Sequence, residues 1–311
     1  MRCGDSAPFG VPRYARACAK SPDNTVKEEA GRVMAVVTGR SAARKVRRKR
    51  VRIRTRSEAP PRIEPHLALL RAPLHPRKPR PLHGEITVAT YNVHRWTGLN
   101  GRSRPDPARA CFVISELSAD LIALQEVLRP LHGEDPLEGL AEALGLHVTF
   151  AATRLHRRGQ IGNAILSAWP IAGVSMLDLS YSRIEKRVAV AAQLQGETCL
   201  DVVSTHLALA GRTRHRQVQS LLERPRLAET PTLLMGDMNT WRRCKATRAL
   251  EDELTSDFGI LWPASFPSAS PVLALDRIYP RGVEILEVDV HASRAARRAS
   301  DHLPVLARIG L

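Results

Sequence analysis

No stretch of this 311-residue chain has the roughly 18 consecutive apolar residues that a membrane-spanning helix requires. The apolar patch from Val33 to Val37 is far too short. The first 30 residues lack an apolar core segment, so no secretory leader is expected. Cysteine is scarce. The five present (Cys3, Cys18, Cys111, Cys199, Cys244) are odd in number and without paired short spacing. That argues against a disulfide framework and a zinc knuckle, and it predicts a reduced, cytoplasmic protein. Acidic charge is thin in the first 83 residues, where 21 Lys+Arg face 6 Asp+Glu, while residues 84–311 hold 26 against 25. The net charge of +16 therefore belongs to the N-terminal part. Any inference of polyanion binding from basicity attaches to that part alone.

Within it, residues 40–56 contain ten Lys/Arg centred on Arg47-Arg48-Lys49-Arg50. A block of like charge repels itself and stays solvated. It reads either as a disordered arm, even a start site placed too early, or as an electrostatic attachment to nucleic acid or an anionic membrane. Seven prolines between Pro60 and Pro81 then predict an extended linker. Two parts are expected: a basic, Pro-rich extension over 1–83 and a folded domain over 84–311.

From Glu85 the texture becomes strand-like. Ile86 to Tyr91 predicts a strand delivering Asn92 at its end. Asp106-Pro107 and Asp135-Pro136 read as caps opening helices. A second buried strand runs from Asp120 to a terminal Glu126, and Gly162 to Ser167 begins a third. Strands at Ile171–Leu179, Val188–Leu194 and Leu200–Ser204 follow, then a basic helix from Thr213 to Leu222. The apolar run Thr232 to Met235 leads into Gly236-Asp237-Met238-Asn239. A helix near Lys245 to Glu253 and late strands near Ile285–Val290 and Leu303–Ile309 complete the chain. Many strands with a few helices between groups of them suggest an α/β (α+β) domain of two packed sheets with helices outside.

Polar residues recur at the strand ends: Asn92, Glu126, Asn163, His206, Asp237 with Asn239, and Asp301 with His302. Each alone reads as a turn residue, a solvated charge or a satisfied histidine. Their repetition at so many strand ends argues for a site. Carboxylates and amides are hard oxygen ligands suited to Mg²⁺ rather than zinc. Glu126 and Asp301 can supply the carboxylates, with Asn92 beside them. Two histidines fit proton transfer or phosphate contact. The set suits metal-assisted hydrolysis of a phosphate ester.

In chain order, Thr90-Tyr91-Asn92, Leu124-Gln125-Glu126, Gly162-Asn163-Ala164-Ile165-Leu166-Ser167, Glu185-x-Arg187, Ser204-Thr205-His206-Leu207, Gly236-Asp237-Met238-Asn239, Leu275-Asp276-Arg277-Ile278 and Ser300-Asp301-His302-Leu303-Pro304-Val305 resemble the motifs of the endonuclease/exonuclease/phosphatase superfamily. Arg216-Gln217 falls in its helix of R-x-x-Q type. The resemblance implies a four-layer, DNase-like α/β sandwich of two mixed sheets with catalysis along one edge. It implies Glu126, Asn92 and Asp301 as ligands of Mg²⁺, with Mn²⁺ as a substitute. It implies that Asp276 orients His302 and that Glu185 orients His206. Asp237 and Asn239 would orient the attacking water and hold the phosphate, while Asn163 and His206 would contact its oxygens. Whether Asp237 or His302 takes the water's proton stays open.

Thr205-His206 argues against the apurinic endonuclease branch. Arg154 to Arg158 and Tyr181-Ser182-Arg183 read as solvated charge at the rim. The expected activity is that of a phosphodiesterase acting on nucleic acid, with phospholipid or small phosphoesters as the alternative substrates. A catalytically silent binding domain is the reading from another class. A monomer without an obligate protein partner is expected, its 40–56 block binding polyanions.

Overall fold

The computed structural model describes residues 65–181, 185–224, 230–254 and 261–311. The basic block 40–56 lies outside them. Two sheets form the centre. The larger has seven strands in the order β1 (His66–Arg71), β4 (His147–His156), β5 (Gly159–Ser167), β3 (Leu121–Arg129), β2 (Glu85–Asn92), β12 (Val305–Gly310), β11 (Glu284–Val290). The smaller has five, in the order β10 (Asp276–Arg281), β9 (Thr232–Asp237), β8 (Cys199–His206), β7 (Val188–Gln195), β6 (Ile171–Asp178). Most neighbours are antiparallel. One parallel pair stands in each sheet, β2 with β3 and β8 with β9.

A helix follows the first strand of each parallel pair: α1 (Pro107–Glu116) joins β2 to β3, and α3 (Gly211–Leu222) lies between β8 and β9. Parallel neighbours need such a crossover. Helix α2 (Pro136–Leu144) follows β3, α4 (Lys245–Leu254) follows β9, and a single turn, α5 (Ala296–Ala299), precedes β12. The central strands β2, β3, β7, β8 and β9 are buried almost throughout. This is why they read as near-continuous apolar runs rather than alternating ones. Val218, Leu221, Ala246 and Leu250 of α3 and α4 cover the outer face of the smaller sheet at Val203, Leu234 and Tyr279. The result is the expected α/β sandwich of two packed mixed sheets with helices outside.

Close strand approach explains two motif glycines. A Cβ on Gly236 would stand 1.8 Å from the Thr205 carbonyl oxygen, and one on Gly162 would stand 1.9 Å from that of Ala151. Neither position admits a side chain. Of the two expected caps, Asp135 accepts from the Leu137 amide at 2.9 Å. Asp106 does not cap its helix; it pairs with Arg109 at 2.8 Å.

The expected boundary at residue 83 is corrected. Residues His66–Arg71 form β1, an edge strand paired antiparallel with β4. Leu82 is buried, Arg77 reaches Asp120 at 2.7 Å, and Trp169 Nε1 donates to the Arg80 carbonyl at 2.8 Å. The described part of the domain therefore begins before this boundary, at Pro65. Spaced prolines fit this segment because an edge strand and its connection can forgo backbone donors. Strands β4 and β10 and the first part of β5 were also not anticipated. Among the described residues, no helix is long and apolar enough to cross a membrane.

Candidate active site

The carboxyl ends of the two parallel pairs lie together. They deliver Asn92 from β2, His206 from β8 and Asp237 from β9, with Glu126 in β3. His206 and Asp237 are directly paired in register, as are Asp237 and Asp276. Five other expected residues thus gather around the Asp237 carboxylate. Asp237 Oδ1 accepts from the Asn239 amide at 2.9 Å, and its Oδ2 accepts from Asn92 Nδ2 at 3.1 Å. The same Oδ2 lies 3.3 Å from His206 Nε2 and 3.7 Å from His302 Nε2. His302 Nδ1 is 2.7 Å from Asp276 Oδ2, which also accepts from Ser265 Oγ at 2.5 Å.

The electrostatics divide the two histidines. Burial works against the His302 cation, but the Asp276 and Asp237 carboxylates outweigh it and raise its pKa from 6.5 to about 10. His206 has its pKa driven well below 6.5 by burial, with the charges of Arg187, His302 and Arg154 adding to the effect. It is neutral. Its Nε2 lies 2.9 Å from Asn239 Nδ2 and faces Asp237 Oδ2. Burial raises Asp237 to about 6 in spite of the His302 charge and the Asn239 and Asn92 hydrogen bonds.

Glu126 does not end its strand as expected. β3 continues to Arg129, and its pairing with β5 jumps from Leu124↔Ala164 to Val127↔Gly162. Two residues of β3 thereby oppose Asn163 alone, a bulge that re-aims a side chain. Glu126 takes φ 52° there, and Asn239 takes φ 50° after β9. Left-handed backbone at non-glycine residues costs roughly 1–2 kcal/mol each and clusters at functional sites. His94, Arg95 and Trp96, just past Asn92, share it. His94 and Arg95 are the basic side chains that face the expected metal carboxylates. His94 Nδ1 is 3.0 Å from Asp301 Oδ1, and Arg95 Nε is 3.2 Å from Glu126 Oε2.

Asn163 is buried and donates to the Val188 carbonyl across the gap between the sheets at 2.8 Å. Glu185 departs from expectation. It binds the Arg187 guanidinium at 2.8 Å and lies 3.4 Å from the Leu209 amide, while Asp237 and Glu126 are the carboxylates facing His206. In α3 the expected Gln217 turns inward, but the arginine that joins it is Arg214, with Arg216 exposed. Arg214 Nη1 donates to the carbonyls of Ala208, Leu209 and Asn239, tying the loop after His206 to the loop after Asp237. Ser300 Oγ, inside the last motif, donates to the Asn92 carbonyl at 2.7 Å. Ser265 has no signal in the sequence that could have found it.

Two groups of carboxylates are candidate cation positions. Asp237, Asp276 and His302 offer ligand atoms within 4.8 Å of one another, but they are buried and His302 already supplies their cation. Glu126 and Asp301 are partly exposed carboxylates, each paired with a basic side chain among the described residues. Carboxylate and amide oxygens such as theirs and that of Asn92 are hard donors of the type a divalent ion takes.

Residues 89–302 match the Endonuclease/Exonuclease/phosphatase family. The uncharacterized protein YbhP of Escherichia coli (strain K12) is 31% identical over 256 residues, covering 72% of this chain and 96% of that protein. Among solved structures, an endonuclease/exonuclease/phosphatase from Beutenbergia cavernae DSM 12333 superposes with a TM-score of 0.61 at 21% identity, covering 74% of this chain and 72% of its own. D. rerio TDP2 complexed with single strand DNA product superposes with a TM-score of 0.55 at 16% identity, covering 73% and 99%.

Proposed function

The chain belongs to the endonuclease/exonuclease/phosphatase family, whose members are in general divalent-metal-dependent phosphoesterases, and from that premise we propose that it is a Mg²⁺-dependent phosphodiesterase acting on nucleic acid. The observation that carries this reading is the row Asp276–His302–Asp237, a protonated imidazole between two buried carboxylates at the sheet ends. Glu126, Asp301 and the Asn92 amide would hold Mg²⁺, with Mn²⁺ as a substitute. When bound, the ion supplies positive charge to the phosphate oxygens and leaving group.

The chain's own residues do the rest. Asp237, at about 6, is ionised at neutral pH and takes the proton of the attacking water. His302, kept protonated by Asp276, cannot accept that proton; it donates a charged hydrogen bond to a phosphate oxygen. Neutral His206 and the Asn163 amide, which spends only one of its two hydrogens on the Val188 carbonyl, would donate to the phosphate without adding charge, while Asn239 holds the His206 ring. Donors fixed before the substrate arrives stabilise charge as it develops.

The test is incubation of the full-length protein with supercoiled plasmid and with bis(p-nitrophenyl) phosphate, in Mg²⁺ and in EDTA, beside His302→Ala. Mg²⁺-dependent nicking by the wild type alone is expected. Absence of hydrolysis of both substrates would sink the enzymatic reading and leave the binding domain. A second reading has its own observation. Leu209 and Trp241 stand 70% and 55% exposed on the loops that follow His206 and Asn239. An apolar rim of this kind also suits a lipid surface, so hydrolysis of the small diester and of phospholipid vesicles, without nicking, would favour a lipid phosphodiesterase.

A further inference from the structure

Three arginines approach the site from different elements. Arg95 follows β2 and lies beside Glu126. Arg187 immediately precedes Val188, whose carbonyl holds Asn163. Arg154 is on β4 opposite Ile161, two residues along β5 from Asn163 and therefore on the same face of the sheet. Arg154 and Arg187 thus flank the point where Asn163 bridges the two sheets.

Their charges are poorly matched. Arg154 makes no hydrogen bond and no ion pair among the described residues, although it feels the charges of Glu126, Arg95 and Arg187. It stays solvent-accessible, yet desolvation by the surrounding protein pulls its pKa below the ordinary guanidinium value. Glu126 opposes that fall and the two other arginines add to it. The Nε of Arg187 and the Nε of Arg95 are both buried without a well-formed hydrogen bond. Glu185 and Glu126 each answer one guanidinium. The third has no counterion, and any cation taken up by Glu126 would leave Arg95 without one as well. Guanidinium donors converging in this way match a phosphate, which accepts two parallel N–H bonds from one arginine.

We propose that Arg95, Arg154 and Arg187 form a second anion subsite, which takes the phosphate next to the scissile one in a nucleic-acid strand. The proposal rests on the phosphodiesterase reading and narrows its substrate class. The scissile phosphate already has His206, His302 and Asn163. A further anion is explained by a strand, which repeats its phosphates. A phosphocholine headgroup would place an ammonium against the three cations instead.

The experiment uses the full-length protein and its Arg154→Gln variant, with folding checked by circular dichroism. Substrates are a thymidine dinucleotide and the same dinucleotide with an added 5′- or 3′-phosphate, assayed in Mg²⁺; calorimetric binding of all three is measured in EDTA. For the wild type, an added phosphate at one end is expected to lower KM and the dissociation constant at least about tenfold. In Arg154→Gln that gain should fall to about twofold or less. Equal values for the three dinucleotides in the wild type, or an undiminished gain in the variant, would overturn the subsite. So would preferential cleavage of phosphatidylcholine vesicles. If no dinucleotide is hydrolysed, the nuclease reading fails by itself, and the calorimetric ratio alone decides for or against the subsite.

Discussion

His302 holds a proton because Asp276 and Asp237 face both of its nitrogens. Removing the ring removes the only cation between two buried carboxylates, so His302→Ala should cut kcat at least about 100-fold, the usual scale for a positioned proton-transfer or oxyanion partner. Steady-state turnover of bis(p-nitrophenyl) phosphate measures this, and near-wild-type turnover would remove His302 from the mechanism. Asp237 sets the pH dependence. Burial raises it to about 6, so kcat/KM should climb as pH rises through about 6 and Asp237 ionises; Asp237→Asn should abolish the limb together with the activity. The stability of the fold moves the other way at high pH. His302 is raised from 6.5 to about 10, so its contribution is complete below about pH 6.5 and is lost as pH climbs through about 10. The urea midpoint of the wild type should fall between pH 7 and 10 and that of His302→Ala should not show this component. These partners were legible because each stands in a short motif at a strand end. Glu185 was misassigned because sequence order cannot say which of two nearby cations, Arg187 or His206, a carboxylate faces. Arg154 is exposed, as rim charge is, but its nearness to Arg95 and Arg187, which are distant in the chain, shows only in the fold.

At the scale of elements, apolar runs identified most strands, since central strands buried on both faces need no alternation to be recognised. Strand β4 escaped because His147–His156 mixes polar and apolar residues and ends in a charged hairpin. Strand β10 escaped because its first residue, Asp276, reads as chemistry rather than as pairing. The bulge at Glu126 left no trace in the motif either; only the register across β5 reveals it. The prolines before residue 83 suggested a linker, whereas β1 pairs with β4 and Leu82 is 1% exposed. Deleting residues 1–64 should therefore leave the urea midpoint of the domain unchanged. Deleting 1–83 strips β1, the Arg77–Asp120 pair and Leu82. The buried leucine alone contributes roughly 2–3 kcal/mol, and the bared β4 edge invites pairing with other chains. The longer deletion should lower stability by at least about 3 kcal/mol and promote aggregation, seen by urea denaturation and light scattering; equal midpoints for the two truncations would return the boundary to residue 83. Glycine supplies a sharper probe of strand approach. Gly236→Ala would drive a methyl into the Thr205 carbonyl, and it should destabilise the protein by more than about 3 kcal/mol, beyond the roughly 1–3 kcal/mol usual for an overpacked core site.

Across the whole molecule, charge and chemistry are separated along the chain. Residues 1–64 carry 17 Lys+Arg against 6 Asp+Glu, while the residues that gather around Asp237 all lie between 92 and 302. Sequence made this division visible but not the order of strands in either sheet, which depends on pairings between residues as far apart as Thr90 and Val305. The separation has a measurable consequence if the basic segment grips nucleic acid. Affinity that comes from lysine and arginine contacts to phosphates falls with salt, the slope of log K against log [salt] steepening by about 0.7–0.9 for each phosphate neutralised. Full-length protein binding a 30-mer oligonucleotide in EDTA should therefore show a steep slope, and the protein lacking residues 1–64 a shallower one by several units. Turnover of a diester too small to reach beyond the site should be the same for both. A slope that survives the deletion would place the polyanion contacts on the sandwich itself, where the three arginines at the site are the residues to examine, and would leave the basic segment with no part in binding. A loss of small-diester turnover would instead tie residues 1–64 to the integrity of the active site.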